Sequence, residues 1–322
     1  MTCSGRIPNG DDPSTAIPFP LAFFIVLSFV DWIRDSHFCR PPPVDDRGAA
    51  AIDNLKNTGN QVVKFNFDAS KHAITLDGAS SNIQGLRKIV AAHKKIALDA
   101  TTLGLGEVLQ VLRCLAPTGC KTIDLLYVEP VSYQHQHAPN HQLAQEFSLT
   151  NNCKFSAVQG FAHEYFADHP SSHVFMLGFE PSRILSAIEQ RNLEDISRTS
   201  FHMIVGVPAF RPGWESNSIR AHLEVMENLQ LNESNVRYCQ ANSVREAYLT
   251  LWDLYRTLGD DQGCFFVSPL GTKPHALGAA LFLLETKGFD NPTSLYYDHP
   301  SRLPKRSENI GTWHHIEVAI GT

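Results

Sequence analysis

The residues best suited to chemistry lie in a short polar turn near the carboxyl end of the chain. The turn Ser268-Pro269-Leu270-Gly271-Thr272-Lys273-Pro274 interrupts an apolar run that begins at Cys264 and resumes at helical spacing from Ala276. This pattern predicts a buried strand, a tight turn and a helix. Gly271, Thr272 and Lys273 would then surround a helix N-terminus, which attracts anions. The alternative is that Gly271 only permits the turn and Lys273 is solvated, because the spacing is not that of the P-loop.

A second turn of similar composition occurs earlier in the chain. Asp99-Ala100-Thr101-Thr102-Leu103-Gly104 follows the apolar residues Ile96-Ala97-Leu98 and precedes a helical pattern. Hydroxyl groups at Thr101 and Thr102, with the backbone at Gly104, can hydrogen-bond a phosphate, a ribose or a base edge. Asp99 joins this candidate site, although it is equally suited to capping its own turn.

Other strand ends carry polar and aromatic side chains. Glu129 precedes a proline that keeps it extended, and Tyr133 can stack on a ring. Arg183 follows a proline at the start of a helix, where it can pair with a phosphate or with Glu180. Two further loops at strand ends are rich in aromatic and charged residues: 206–214 and 296–302.

Metal and nucleophile motifs are absent from the sequence. His135, His137 and His141 lie in a glutamine-rich segment without companion cysteines or acids, which favours a solvated loop over a metal site. His163-Glu164 has no second histidine at helical spacing, and no Gly-x-Ser-x-Gly motif occurs. The seven cysteines are scattered singly, which indicates a reducing, cytoplasmic setting. No metal is expected, no cofactor is specified and no catalytic residue is named.

The segments that would position these residues alternate between strand and helix from Lys95 onward. Strands are predicted at 96–100, 122–128, 173–178, 202–207, 236–239, 264–267 and 294–297, and helices at 106–115, 182–191, 216–229, 244–258 and 274–284. Alternation of this kind predicts an α/β fold with a mostly parallel, Rossmann-like sheet and helices on both faces. Ligands of such sheets bind outside the carboxyl ends of the strands.

Residues 1–88 are predicted to form a small N-terminal α+β appendage to an α/β domain that spans residues 89–322. Its segment 17–33 is apolar, but Pro18, Pro20 and Asp31 leave only Leu21–Val30 uninterrupted, which is short for a membrane span. A buried strand or helix is favoured, and a membrane anchor is the alternative. Residues 62–67 and 73–76 predict a hairpin, and residues 81–93 a helix capped by Ser80 or Ser81.

Composition limits the classes of function. The 322 residues are 43% hydrophobic, which is enough for a large core and argues against disorder. The formal net charge of −6 argues against general nucleic-acid binding.

The two polar turns together carry a resemblance. Asp99-x-Thr101-Thr102-x-Gly104 after an early strand, with Ser268-Pro269-Leu270-Gly271-Thr272-Lys273-Pro274 after a late one, resembles the two ligand-binding loops of CRISPR-associated Rossmann-fold (CARF) sensor domains. The resemblance implies that residues 95–300 bind a cyclic or linear oligonucleotide through these turns. Two features depart from the family pattern: the turns are farther apart than in a compact sensor, and no effector domain is recognisable.

These patterns lead to one functional hypothesis and two alternatives. The chain is expected to be a sensor or adaptor for a nucleotide- or oligonucleotide-type ligand in a prokaryotic defence-like system, with a separate effector and a protein partner or a second copy. The first alternative is an enzyme acting on a nucleotide or a phosphorylated small molecule, with Asp99, Glu129, Asp298 or His299 transferring protons. The second is a structural subunit whose rim is only an interface.

Overall fold

A computed structural model of the protein describes most of the chain as a mixed α/β structure. The described residues are 22–25, 36–39, 43, 45–57, 61–69, 71–115, 122–133, 150–151, 154–164, 169–191, 196–258, 263–288, 292–302 and 307–319. Within them, seven α-helices and several parallel strands confirm the predicted α/β class. No helix of this part of the chain is both long enough and apolar enough to cross a membrane.

The first half of the described chain contains seven strands and three helices. In chain order they are β1 (Ala22–Ile25), β2 (Ser36–Cys39), α1 (Asp46–Asn57), β3 (Gln61–Asp68), β4 (Ala73–Leu76), β5 (Ala79–Ser81), α2 (Ile83–Ala91), β6 (Lys95–Asp99), α3 (Leu105–Arg113) and β7 (Thr122–Tyr133).

The second half contains nine strands and four helices. They are β8 (Thr150–Asn151), β9 (Ser156–Ala157), β10 (Ser171–Met176), α4 (Pro181–Glu189), β11 (Thr199–Gly206), α5 (Trp214–Asn228), β12 (Val236–Cys239), α6 (Val244–Leu258), β13 (Cys264–Pro269), α7 (Lys273–Gly288), β14 (Thr293–Tyr297), β15 (Ser301–Arg302) and β16 (Ser307–Ala319).

The first sheet has eight strands in the order β1-β16-β7-β6-β2-β3-β4-β5. Its centre is parallel, because β7, β6, β2 and β3 run in one direction. The chain moves outward from β2 to β3 on one side and from β6 to β7 on the other. The order therefore reverses between β2 and β6, and a crevice is expected beyond their carboxyl ends.

The second sheet has six strands in the order β12-β11-β10-β13-β14-β9. Its five longer strands, β10 to β14, are parallel. If they are numbered 1 to 5 as they occur along the chain, their order across the sheet is 3-2-1-4-5. The chain direction reverses between β10 and β13, so this sheet also has a crevice at its carboxyl edge.

The two sheets share one apolar core. A single buried cluster contains Leu98 and Leu109 from the first sheet and its helix, and Val174 and Phe282 from the second. Helix α3 contacts helix α7 across the boundary. Burying these faces against each other fixes how the two carboxyl edges are placed.

The elements agree with the sequence predictions more closely than their arrangement does. A single sheet was expected from residue 96 to residue 297, whereas β6 and β7 join the N-terminal strands and β10 to β14 form a second sheet. The long strand β16 contributes to this outcome, because it pairs with β7 and returns the carboxyl end of the chain to the first sheet. The division expected at residues 88 and 89 falls inside α2, and strands on both sides of it share one sheet.

The predictions for the N-terminal part have mixed outcomes. The hairpin is confirmed, because β3 pairs antiparallel with β4. The helix is confirmed as α2, but its cap is Asn82, whose side chain accepts hydrogen bonds from Gln84 N and Gly85 N. Of the apolar segment 17–33, residues 22–25 form β1, which pairs with β16, and the rest lies outside the described residues. The histidines at 135, 137 and 141 also lie outside them.

Candidate functional site

A cleft lies where the carboxyl edges of the two sheets meet. Its cavity volume is ≈ 130 Å³. Residues from both sheets line it, and most of them end a parallel strand, follow one or begin the next helix. The cleft therefore lies where each sheet reverses its strand order, which is the position at which α/β sheets bind ligands.

The first sheet contributes one wall. Arg47 comes from the first turn of α1, Thr101 follows β6, and Tyr127 and Tyr133 belong to β7. Arg47 is buried, and its Nη1 donates a hydrogen bond to the backbone oxygen of Val128 on β7 at 2.9 Å. The wall is therefore built from three separate segments that the sheet brings together.

The second sheet contributes the floor through two facing glycines. A Cβ atom on Gly178 would lie 2.5 Å from Leu270 O, and one on Gly271 would lie 2.4 Å from Leu177 O. These distances are too short for any real side chain. The turns after β10 and β13 can approach this closely only because both positions are glycine.

Hydrogen bonds tie the turns of the second sheet to one another. Thr272 Oγ1 donates to Ala241 O at 2.6 Å, and Ser218 Oγ donates to Gly178 O at 2.6 Å. Lys273 Nζ donates to Leu103 O at 2.9 Å, which joins the second sheet to the turn after β6. The rim of the cleft is thus held in place before any ligand enters, which lowers the entropy cost of binding.

Aromatic side chains from both sheets form one side of the cleft. The ring centroids of Tyr133 and Trp214 lie 5.4 Å apart, those of Tyr133 and Phe179 lie 5.9 Å apart, and those of Phe179 and Trp214 lie 5.7 Å apart. Tyr127 and Phe210 form a second pair at 6.2 Å. These half-exposed and buried rings offer flat apolar surface to a planar ligand.

Arg183 lies at the base of the cleft, where it is bound by Asp298. Arg183 Nε donates to Asp298 Oδ2 at 2.6 Å and Nη2 donates to Asp298 Oδ1 at 2.8 Å, while Nη1 donates to Leu270 O at 2.8 Å. Burial favours the neutral guanidine, but the hydrogen bonds and charge of Asp298 outweigh it and raise the pKa of Arg183. Arg183 therefore stays charged although it is buried, and its partner is Asp298 where the sequence suggested Glu180 or a phosphate.

The predicted turn at residues 99–104 folds largely onto itself. Asp99 is fully buried, and its carboxylate accepts hydrogen bonds from Thr101 N at 3.0 Å and Thr102 Oγ1 at 2.6 Å. Burial raises the pKa of Asp99, and the bonds from the two threonines oppose that rise. Thr101 Oγ1 accepts from Val128 N at 3.1 Å while its side chain lines the cleft. Asp99 thus caps its own turn, which is the alternative that the sequence left open.

Two other predicted residues lie away from the cleft lining. Glu129 accepts a hydrogen bond from His314 Nε2 at 2.6 Å on the antiparallel side of β7. Gly104 precedes α3, and a Cβ there would meet the end of the Glu107 side chain. Of the nine predicted site residues, those that line the cleft are Thr101, Arg183, Gly271, Thr272 and Lys273.

Sequence reasoning missed two features of the site. Arg47 was assigned to the appendage, where no motif distinguished it, and only the strand order shows that it faces the later turns. The pairing of Arg183 with Asp298 joins positions 115 residues apart. The only sequence signal for it was that both residues follow predicted strands.

Comparisons and ligand chemistry complete the description of the site. Within the described ranges, no group of three or more histidine, cysteine, aspartate or glutamate side chains is arranged to hold a metal ion. The groups that line the cleft are those that hold organic anions and planar rings: hydroxyl groups, cationic side chains, helix N-termini and aromatic rings.

No protein-family model matches the chain, and no curated protein sequence matches it significantly.

Proposed function

We propose that this protein binds a nucleotide-type small molecule in the cleft between its two sheets. The observation that carries the proposal is the meeting of two carboxyl edges, each at its own reversal of strand order, in one cleft with aromatic and cationic lining. The 3-2-1-4-5 order of the second sheet matches the first five strands of a Rossmann sheet, whose ligands bind where the strand order reverses. The Rossmann-like character of this half is part of the proposal.

The aromatic side of the cleft fits a nucleobase. Tyr133 belongs to β7 of the first sheet, and Trp214 begins α5, which follows β11 of the second sheet. Their ring centroids lie 5.4 Å apart, so a planar ring that stacks on one of them also lies near the other. Stacking of a base on an aromatic side chain is worth about 1–3 kcal/mol.

The start of helix α7 fits a phosphate. Helix α7 begins at Lys273, so its positive end and its first N–H groups point toward the turn after β13. Thr272 adds a hydroxyl group and Lys273 adds an ammonium group at the same place. A phosphate here would interact with a helix dipole and a cation at once.

The proposal includes binding without turnover, which the positions of the four acid–base candidates suggested by the sequence support. Asp99, Glu129, Asp298 and His299 are all described, and none of them lines the cleft. Asp99 accepts a hydrogen bond from Thr102 Oγ1, and Asp298 accepts one from Arg183 Nε. A sensor or adaptor binds its ligand and releases it unchanged, which is the role that the resemblance to CARF domains implies.

The test is a thermal-shift screen of nucleosides and nucleotides against three variants. A binding compound raises the melting temperature by mass action. Trp214→Ala removes a stacking surface and Lys273→Met removes the ammonium group; both are expected to reduce the shift. Lys88→Met, at an exposed site on α2, is the matched control and should keep it.

Mass spectrometry of the same mixtures then shows whether the compound is recovered intact. Steady conversion would replace the binding role with an enzymatic one. A screen without any shift, or a shift that both cleft variants retain in full, would reject the proposal.

A further inference from the structure

The charges around the cleft are closely balanced, which is unusual for a site that binds several phosphates. Three cationic side chains line the cleft, and four carboxylates lie among or directly behind them. The cations are Arg47, Arg183 and Lys273, and the carboxylates are Asp45, Glu180, Glu215 and Asp298.

Arg183 has no spare charge to offer a ligand. Asp298 binds two of its nitrogen atoms at 2.6 and 2.8 Å, and Leu270 O takes the third at 2.8 Å. Glu180 is a second carboxylate close enough to favour the charged guanidinium. Arg183, Asp298 and Glu180 are all buried, so water screens their charges little.

Arg47 is similarly compensated on the opposite wall. Its Nη2 and Nε donate to Asp45 Oδ2 at 2.6 and 3.2 Å. Burial tends to raise the pKa of Asp45, but Arg47 and a hydrogen bond from Ser307 outweigh it and lower the pKa. Asp45 therefore remains ionised and cancels the charge of Arg47 near neutral pH.

The acids at the cleft surface oppose further negative charge. Glu180 follows β10 and Glu215 begins α5, and both line the cleft. Glu215 accepts from Gly213 N at 3.1 and 3.2 Å, which holds its carboxylate at the mouth. Carboxylates accept hydrogen bonds from ribose hydroxyls and base amino groups but repel phosphates.

We propose that the ligand of this cleft is a nucleotide with a single phosphate group, and that the cleft selects against nucleoside di- and triphosphates. The inference rests on the proposed function and narrows its ligand class. The phosphate would lie at the start of α7, where Thr272 and Lys273 line the cleft. Each additional phosphate would add negative charge to a cleft that Glu180 and Glu215 already line.

Calorimetric titration of a matched series measures this selectivity. The compounds are the four ribonucleosides and their 5′-mono-, di- and triphosphates, titrated in EDTA so that no divalent metal neutralises the phosphates. For the base that binds best, the monophosphate is expected to bind at least about tenfold more tightly than the nucleoside and than the triphosphate, since one close charge–charge contact is worth about that factor.

A charge-removing variant tests the cause. Glu215→Gln keeps the shape of the side chain and is expected to narrow the ratio of mono- to triphosphate affinity by about three- to tenfold. Glu224→Gln, at an exposed position farther along α5, is the control and should leave the ratio unchanged.

The outcomes separate the two proposals. Affinity that rises with the number of phosphates, or a ratio that Glu215→Gln does not alter, would overturn the single-phosphate inference and leave the nucleotide cleft standing. Failure of every compound to bind would overturn the nucleotide cleft and the inference together.

Discussion

The carboxyl edges of the two sheets carry turns of similar composition that use their side chains differently. After β6, the carboxylate of Asp99 binds Thr101 N and Thr102 Oγ1, so most of this turn is directed inward. After β13, Gly271, Thr272 and Lys273 all line the cleft. The difference arises because the first turn contains its own acid, whereas the second bonds to neighbouring loops.

A turn rich in hydroxyl groups and glycine is thus a weak predictor of a binding site by itself. The deciding feature is whether an acceptor in the same turn already accepts hydrogen bonds from the turn's N–H and hydroxyl groups. Where it does, as at Asp99, the turn stabilises the sheet edge. Where the acceptors belong to other turns, as at Ala241 O for Thr272, the same residue types join several loops around a cavity.

The largest expected difference between the edges concerns their ion pairs. Asp298→Ala should lower the free energy of unfolding by about 3–5 kcal/mol, because it leaves the buried charge of Arg183 without its partner. Glu129→Ala, which breaks the more exposed pair with His314 at the first edge, should cost about 1–3 kcal/mol. Urea denaturation measures both values.

A double variant serves as the control for the buried pair. Replacing Arg183 with Met together with Asp298→Leu removes both charges, and most of the lost stability should return. Equal losses of unfolding free energy from Asp298→Ala and Glu129→Ala would contradict the expectation that the buried ion pair contributes more stability than the more exposed one.

The next largest difference concerns two glycines. Gly271→Ala should destabilise the protein by about 1–3 kcal/mol, because its Cβ would overlap the backbone at Leu177 O, which cannot move without displacing β10. Gly104→Ala should destabilise the protein less, because the nearest atom is the end of the Glu107 side chain and not backbone. Thermal and urea unfolding of the two variants give the comparison, and a Gly104 variant that unfolds as easily would contradict it.

The sequence predicted the local elements well because each depends on neighbouring residues. The apolar run at 264–267 and the helical spacing after residue 273 identified β13 and α7, the elements that position Gly271, Thr272 and Lys273. The division into two sheets was not predictable in this way. It rests on pairings between strands that are far apart in the chain, such as that of Ile316 in β16 with Leu125 in β7.

The same limit applies to the site. Hydroxyl groups, glycines and aromatic rings at strand ends could be identified from residue type, and several of them line the cleft. Charge balance could not, because Arg183 meets Asp298 and Arg47 faces the second sheet only after folding. A sequence pattern shows which side chains can bind an anion, but not which of them a carboxylate already neutralises.

A further contrast between the sheets is their dependence on pH. His275, at the start of α7, is fully buried; burial lowers its pKa to about 4, and a hydrogen bond to Gln240 O opposes this only partly. The unfolded chain therefore binds a proton near pH 6.5 that the folded protein excludes. Stability contributed by the neutral ring is fully present above pH 6.5 and is lost as the pH falls toward 4.

This contribution can be isolated by comparing slopes. Between pH 6.5 and pH 5, His275 alone should cost about 1.5 kcal/mol of unfolding free energy. His275→Gln lacks the titrating ring, so its stability should fall less steeply over the same range. Asp99, with a raised pKa, contributes the opposite slope in both proteins and cancels from the difference. Identical slopes would show that His275 does not titrate as its burial requires.

The smallest expected effect compares one threonine from each edge. Thr272→Val removes the bond to Ala241 O, and Thr102→Val removes the bond to Asp99; each should cost about 0.5–1.5 kcal/mol of stability. Only Thr272 lines the cleft, so only its variant should also weaken nucleotide binding, by a similar amount. Urea denaturation and calorimetry on the same preparations separate the two quantities. The two variants are expected to lose similar amounts of stability, so a difference in nucleotide affinity between them reports on the site. If only the Thr102 variant bound nucleotide more weakly, the ligand would lie at the first edge.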